Sequence, residues 1–162
     1  MSLRIRAFTP EEAVSAAQWR YEPPYEIYDS DPEDVAMYST IDVDGFGFYA
    51  VAHDDAEDGL VGFCCFGPEA RVRGQVVEPG TLDLGGGVRP DLTSQGLATE
   101  FLPSILAFGQ ERFRPERFRI AVATFNERST RLCVAAGFTV ARAFDGPGRQ
   151  FNELVRPSLA AG

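Results

Sequence analysis

Lysine is absent from the 162 residues: arginine supplies all fifteen bases, against 24 acidic residues and a net charge of −9. An acidic surface of this kind works against tracking a phosphate backbone, so no nucleic-acid partner is expected. It leaves amine-bearing or cationic small molecules and peptides open. Histidine occurs once, as His53, which excludes histidine-cluster metal centres and multi-histidine mechanisms by count. A Ser-His-Asp or Cys-His relay would have to use His53. That residue sits beside Asp54, Asp55, Glu57, Asp58 and Gly59, a stretch with the composition of a solvent-facing hairpin turn. Cysteine is scarce as well: Cys64, Cys65 and Cys133 are odd in number, two of them adjacent, and cannot build a secreted disulfide framework. No pair of Cys-x-x-Cys units exists, so neither structural zinc nor another metal is expected. No apolar run approaches the roughly 18 residues of a membrane span, and residues 1–6 are too charged to begin a signal sequence. A cytoplasmic protein without a membrane partner is the expectation. Phosphate motifs are missing too: Gly85-Gly86-Gly87 runs into Val88, Arg89 and Pro90 and completes neither a Walker loop nor G-x-G-x-x-G.

What is present fits one domain over residues 1–162, with enough chain for a real core. Leu3, Ile5 and Ala7 alternate with Arg4 and Arg6, as in a half-buried strand. Thr9-Pro10-Glu11-Glu12 is helix-start chemistry: a threonine cap, a proline in the first turn, and a glutamate that reaches back. This helix is expected to run to about residue 20. Ser30-Asp31-Pro32-Glu33 repeats that chemistry and predicts a second, shorter helix through about residue 39. Strands are expected over 46–52 and 60–66, joined by the acidic turn. The second is nearly all apolar, as a central strand should be, with Cys64 and Cys65 on opposite faces.

Residues 82–88 predict a fourth strand after a polar, glycine- and proline-punctuated excursion. Leu97, Phe101, Ile105 and Phe108 then fall on one helical face, with Pro103 as a local misfit. Phe118, Ile120 and Val122 mark a fifth strand. Residues 126–136 predict a short helix ended by Gly137 in a left-handed cap, before a closing hairpin over 138–143 and 150–155. The class is α+β, a mixed sheet flanked by helices.

Two stretches carry chemistry by their composition. Trp19, Tyr21, Pro23, Pro24, Tyr25 and Tyr28 form a proline-aromatic cluster, which reads either as a packed loop or as a rigid wall for a substrate pocket. Residues 88–99, Val-Arg-Pro-Asp-Leu-Thr-Ser-Gln-Gly-Leu-Ala-Thr, read as a strand end, a polar loop and a helix start. The first amides of a helix lack intrahelical acceptors, and its dipole adds about half a positive charge there. With Gly96 and Ala98 small, a pyrophosphate could approach that backbone closely.

Thr93-x-x-Gly96-x-Ala98, taken with Asn126-x-x-Ser129-x-x-Leu132-Cys133-x-x-x-Gly137-Phe138, resembles the Gcn5-related N-acetyltransferase (GNAT) family, and Leu82-Asp83-Leu84-Gly85-Gly86-Gly87 running into Leu92-Thr93 looks like a bacterial branch of it. The resemblance covers most of the chain, since the element order matches as well. It implies a mixed central sheet of about seven strands with about four helices. It implies acetyl-CoA, or another acyl-CoA, as co-substrate and direct transfer to an amine of a small molecule or peptide. The acidic balance favours a cationic acceptor.

Backbone amides of Gln95, Gly96, Leu97, Ala98 and Thr99 would hold the pyrophosphate. The pantetheine arm would lie along strand four near Gly87 and Val88, where the family opens a V between strands four and five. Asn126 would bond the arm from the other side, alongside a plain helix-cap role. Trp19, Tyr21, Tyr25 and Tyr28 would shape the acceptor site. Homodimers also occur in the family.

Two positions depart from the family pattern. Thr93 replaces an arginine or glutamine near the phosphates. Cys133 stands where many members carry a tyrosine that protonates the departing thiolate. A thiol is also protonated near neutrality and can donate, though it is shorter; packing is its other reading. For the general base the candidate is Asp83, with Glu22, Glu26, Tyr25 or a water chain as rivals. Alternation puts Asp83 and Val88 on opposite faces, unless a bulge at Gly85-Gly86-Gly87 reverses the parity. A non-catalytic acyl-CoA-binding domain on the same fold, and an α+β interaction domain, remain the alternatives.

Overall fold

The computed structural model describes residues 3–53, 59–92 and 98–159. The elements follow in the order β1 (Leu3–Arg6), α1 (Pro10–Ala17), α2 (Val35–Tyr38), β2 (Gly47–His53), β3 (Leu60–Phe66), β4 (Thr81–Val88), α3 (Ala98–Phe113), β5 (Arg117–Ala123), α4 (Glu127–Ala135), β6 (Thr139–Gly146) and β7 (Arg149–Pro157). The strand order is β1-β2-β3-β4-β5-β7-β6. β4 and β5 pair in parallel, while the β1/β2, β5/β7 and β6/β7 pairs are antiparallel. The expected mixed sheet of seven strands with four helices is therefore what this chain forms.

Two compact units make up the chain, one from Met1–Cys65 and Gly86–Phe101, the other from Phe66–Gly85 and Leu102–Gly162. In the first, α1 begins as its residues dictate. Thr9 accepts from the Glu12 amide at 3.2 Å, and the Glu12 carboxylate takes the Thr9 amide at 3.0 Å, a complete capping box. The helix ends at Ala17, shorter than expected, and buries Ala13, Ala16 and Ala17. The second helix is corrected more strongly. It spans only Val35–Tyr38, because Asp31 turns its carboxylate onto the Glu33 amide at 2.9 Å and holds the preceding residues in a turn. Tyr38 is the hinge of the aromatic core here, edge-on to Phe8, Phe48 and Phe63 with ring centroids 5.2–5.8 Å apart. The His53 amide donates to the Gly59 carbonyl at 2.8 Å. Residues 54–58, read as the acidic turn, lie outside the described residues.

In the second unit the core is built on phenylalanine and leucine. Phe66 stacks on Phe108 and meets Phe113 at a tilt, and Leu82, Phe118, Ile105 and Leu154 are buried. Gly109 lets α3 sit close, since a Cβ there would lie 3.1–3.3 Å from Phe66, Leu82 and Phe118. Pro103 stays inside α3 without ending it. Gly137, at φ +97°, supplies the expected left-handed stop after α4. Arg156 then donates to the Ala136 carbonyl at 2.6 Å, satisfying one helix-end oxygen. β4/β5 pairing covers three rungs, Thr81↔Arg117, Leu82↔Phe118 and Asp83↔Arg119. β5 continues beyond them on β7, from Ile120↔Leu154 to Ala123↔Phe151.

Candidate functional site

In the first unit, three of the four residues expected to shape an acceptor site line one shallow cleft. Trp19, Tyr21 and Tyr28 share it with Ala16, Ser30, Tyr38 and Phe63, whose side chains close it so tightly that no water-sized sphere fits within. Tyr25 is not among the lining residues; it begins the one-turn helix that ends at Tyr28. The loop is held from inside: the Asp29 carboxylate accepts from the Tyr21 amide at 2.7 Å, and the hydroxyls of Ser30 and Tyr38 share a hydrogen bond of 2.5 Å. Burial pushes the Tyr21 phenol well above its ordinary pKa. It stays protonated and donates to the Val88 carbonyl at 2.8 Å. The cleft wall and the end of β4 are thus tied by one hydrogen bond.

Glycine is required where β4 passes these rings. A Cβ on Gly87 would lie 2.6 Å from the Phe63 ring and 3.4 Å from the Tyr21 hydroxyl. Arg89 continues the anchoring, with its amide on the Val61 carbonyl at 2.8 Å and its guanidinium on the Leu60 carbonyl at 2.9 Å. Of the residues read as the pyrophosphate cradle, Gln95, Gly96 and Leu97 lie outside the described residues, as does Thr93. Ala98 opens α3, and Thr99 follows it on an exposed position.

In the second unit Asn126 is buried and caps α4, its Oδ1 accepting from the Ser129 amide at 3.1 Å. Cys133 is buried in the same helix, and burial drives its thiol up to about 12. Its carbonyl receives the amides of Ala136 and Phe138, both at 3.0 Å, so its backbone closes the helix end.

Asp83 is buried and both its oxygens are taken. Arg119 Nε donates to one at 2.6 Å and Arg119 Nη2 to the other at 3.1 Å, while Arg71 Nη1 reaches that second oxygen at 2.9 Å. To accept a proton from a substrate, Asp83 would have to give up charge-assisted contacts with two guanidiniums. Sequence reasoning missed Arg119, which reads locally as the spacer between Phe118 and Ile120. Only the β4/β5 register puts it opposite Asp83.

The other reactive side chains are placed more simply. Cys64 and Cys65 are buried and not disulfide-bonded, and burial holds the Cys64 thiol well above the ordinary thiol range. His53 ends β2 with its Nδ1 buried and without a hydrogen-bond partner among the described residues. No three His, Cys, Asp or Glu side chains among the described residues are grouped to hold a metal ion, and no described helix is long and apolar enough to cross a membrane.

A family model described as an acetyltransferase (GNAT) domain matches residues 2–139. No curated protein is matched in sequence. Among solved structures, a GNAT-family acetyltransferase from Bacillus anthracis is similar at TM-score 0.75 and 16% identity, over 98% of this chain and 96% of that one. AAC(6')-Ib in complex with paromomycin and acetyl-CoA is similar at TM-score 0.75 and 13% identity, over 97% and 94%. A chimera of spermidine N-acetyltransferase SpeG from Vibrio cholerae with hSSAT gives 0.70 and 15%, over 98% and 96%.

Proposed function

The chain belongs to the GNAT acetyltransferase family, and from that premise we propose that residues 1–162 act as one N-acetyltransferase domain, in the cytoplasm, moving an acetyl group from acetyl-CoA to a cationic primary amine. The observation that supports this most is the backbone of β4. Its pairing with β5 ends at Asp83, and the strand runs on through Gly85, Gly86 and Gly87 to Val88. Glycines leave main-chain donors and acceptors open to close approach by an extended pantetheine arm. The amides of residues 95–99, at the entry to α3, are the proposed hold on the pyrophosphate. Asn126 is the proposed second contact to the arm, through the amide end of a side chain whose Oδ1 already caps α4.

The bound co-substrate supplies an activated thioester carbonyl; the amine nitrogen forms the new C–N bond, the C–S bond breaks, and coenzyme A leaves as a thiolate. A β4 amide is the natural donor to the oxyanion. Cys133 is a poor acid for the leaving group. A proton passed from a thiol at about 12 to a thiolate of ordinary basicity, about 8.5, climbs by about 5 kcal/mol. The thiolate instead takes its proton from solvent, where hydronium formed as the amine releases its proton is a far stronger acid than this thiol, and Cys133 packs α4. Asp83 is engaged by Arg119 and Arg71 and is given no chemical step. The amine proton leaves through water towards the exposed carboxylates of Glu22 and Glu26, on the loop that carries the aromatic wall.

Charge supports the cationic acceptor. The unit holding the cleft contains 16 of the 24 acidic residues and four of the fifteen arginines, and no arginine occurs between Arg20 and Arg71. Among the structurally similar proteins, AAC(6')-Ib is named as an aminoglycoside acetyltransferase and SpeG as a spermidine N-acetyltransferase. Calorimetry with acetyl-CoA, followed by thiol release over a panel of polyamines, aminoglycosides and peptide N-termini, tests the reading. Binding with turnover on at least one amine is expected. Binding without turnover across the panel would leave an acyl-CoA-binding domain, and no binding would remove the enzyme reading. Cys133→Ala should turn over within twofold of wild type on the same assay.

A further inference from the structure

Arg119 is 1% exposed, yet four groups from three parts of the chain meet its guanidinium. Asp83 of β4 takes Nε and Nη2 at 2.6 and 3.1 Å. Nη2 also donates to the Val76 carbonyl at 2.7 Å, and Nη1 faces Glu78 at 3.1 Å and Glu153 of β7 at 3.6 Å. The partners are themselves secured. Arg71 holds Asp83 at 2.9 Å; Arg142 of β6 and Gln75 hold Glu153 at 3.0 and 2.9 Å. Four strands, β4 to β7, and the 71–78 segment therefore meet at one buried ionic hub.

Such hubs add little net stability over apolar packing of the same volume, because each charge has lost its water. What a hub does supply is discrimination between registers. A slip of one residue between β4 and β5 would set Leu82 or Leu84 against Arg119 and strand a buried guanidinium. β4 has particular need of this. Past Asp83 and the buried Leu84 come three glycines, a run with no side chains to fix its own phase. The last rung before that run is Asp83↔Arg119.

We propose that Arg119, with Asp83 and Glu153, is a positioning device that sets the register and end point of β4/β5 pairing, and so fixes the backbone phase of Gly85–Val88 that receives acyl-CoA. This rests on the acyl-CoA reading above, and its test separates the two. Coenzyme A binding is measured by calorimetry on the full chain for wild type, Asp83→Asn, Arg119→Lys and Glu153→Gln, with Ile105→Val in the α3 core as the control. Amide hydrogen exchange is followed in parallel.

The hub variants should bind coenzyme A at least tenfold more weakly when Asp83 or Arg119 is changed, and about threefold more weakly for Glu153→Gln. Ile105→Val should lower the unfolding midpoint and leave affinity at the wild-type value. Exchange should quicken selectively at residues 84–88 in Asp83→Asn, whereas a merely structural role would quicken it throughout the second unit. Wild-type affinity in any folded Asp83 or Arg119 variant overturns the proposal. If those two do not fold, Glu153→Gln decides: unchanged affinity and unchanged exchange at 84–88 overturn it. Failure of the wild type itself to bind coenzyme A removes the acyl-CoA reading, and the proposed role with it.

Discussion

The two units satisfy their buried polar groups by different means. All five tyrosines and the tryptophan lie in the first, which has four arginines. Its inner ties include phenol hydrogen bonds, Tyr21 to the Val88 carbonyl, Tyr38 with Ser30, and Tyr49 to the Gly45 carbonyl at 2.6 Å, while its ion pairs Arg6–Glu12 and Arg89–Asp91 are partly exposed. The second has phenylalanine as its sole aromatic and eleven arginines against eight acidic residues. Its ties are guanidinium contacts, those of Arg119, Arg71, Arg142 and Arg156 among them. A neutral phenol carries an apolar body and one donor, so it can enter an acidic region without a counter-charge. A guanidinium offers five donors but must be paired fully once buried. The same fold thus holds one region by neutral hydrogen bonds and another by ion pairs.

The largest effect that would sharpen this contrast is expected from Arg119→Ala. It strands the buried carboxylates of Asp83 and Glu153 and should cost about 3–5 kcal/mol in urea unfolding; a cost below about 1 kcal/mol would show that the second unit does not depend on its ion pairs. Next comes Gly62→Ala in the first unit. Its Cβ would lie 2.4 Å from the Gly87 carbonyl oxygen and 2.7 Å from the Phe101 ring. A backbone atom yields less than a ring, so a loss of about 1–3 kcal/mol is expected. Tyr21→Phe removes one donor from the Val88 carbonyl and should cost about 1 kcal/mol. A loss near 3 kcal/mol would mean the phenol ties rival the ionic ones.

The smallest effect is in acid. In Glu153, burial raises the pKa, but hydrogen bonds from Arg142 and Gln75 and the Arg119 charge outweigh it, and the result lies below the ordinary 4.5. Glu12 in the first unit is also lowered, chiefly by its bond to Arg6. A depressed folded-state pKa contributes stability that is fully present above pH 4.5 and disappears as pH falls through the folded value. Urea midpoints measured from pH 6 down to pH 3 should therefore decline in wild type and flatten in Glu153→Gln and in Glu12→Gln. An unchanged slope in either variant would remove that residue from the acid response.

Legibility in the sequence followed the range of the interactions. Thr9 and Glu12 announce α1 because the capping box closes within four residues. Gly137 announces the end of α4 for the same reason. Ser30-Asp31-Pro32-Glu33 misled for a related reason: the same residue types that cap a helix also make a turn, and Asp31 chose the Glu33 amide. The aromatic wall was visible as Trp19, Tyr21 and Tyr28, since rings clustered by sequence stay clustered when prolines stiffen the loop. The omission of Tyr25 from the cleft was not, because which ring faces inward depends on Phe63 and Tyr38, distant in the chain. Asp83 was visible as a carboxylate on β4, but its arginines come from residues 71 and 119.

By itself, then, the sequence determined the elements, the class of fold, the family resemblance and the kinds of group available: thiols, phenols, carboxylates and guanidiniums, with no lysine and one histidine. Tertiary structure alone decided which of them are free to react. Burial carried Cys133 to about 12, and strand register placed Arg119 on Asp83. A side chain's chemistry is local, but its solvation and its counter-charge are supplied by residues far away in the chain, and these are what turn a carboxylate into either a base or a brace.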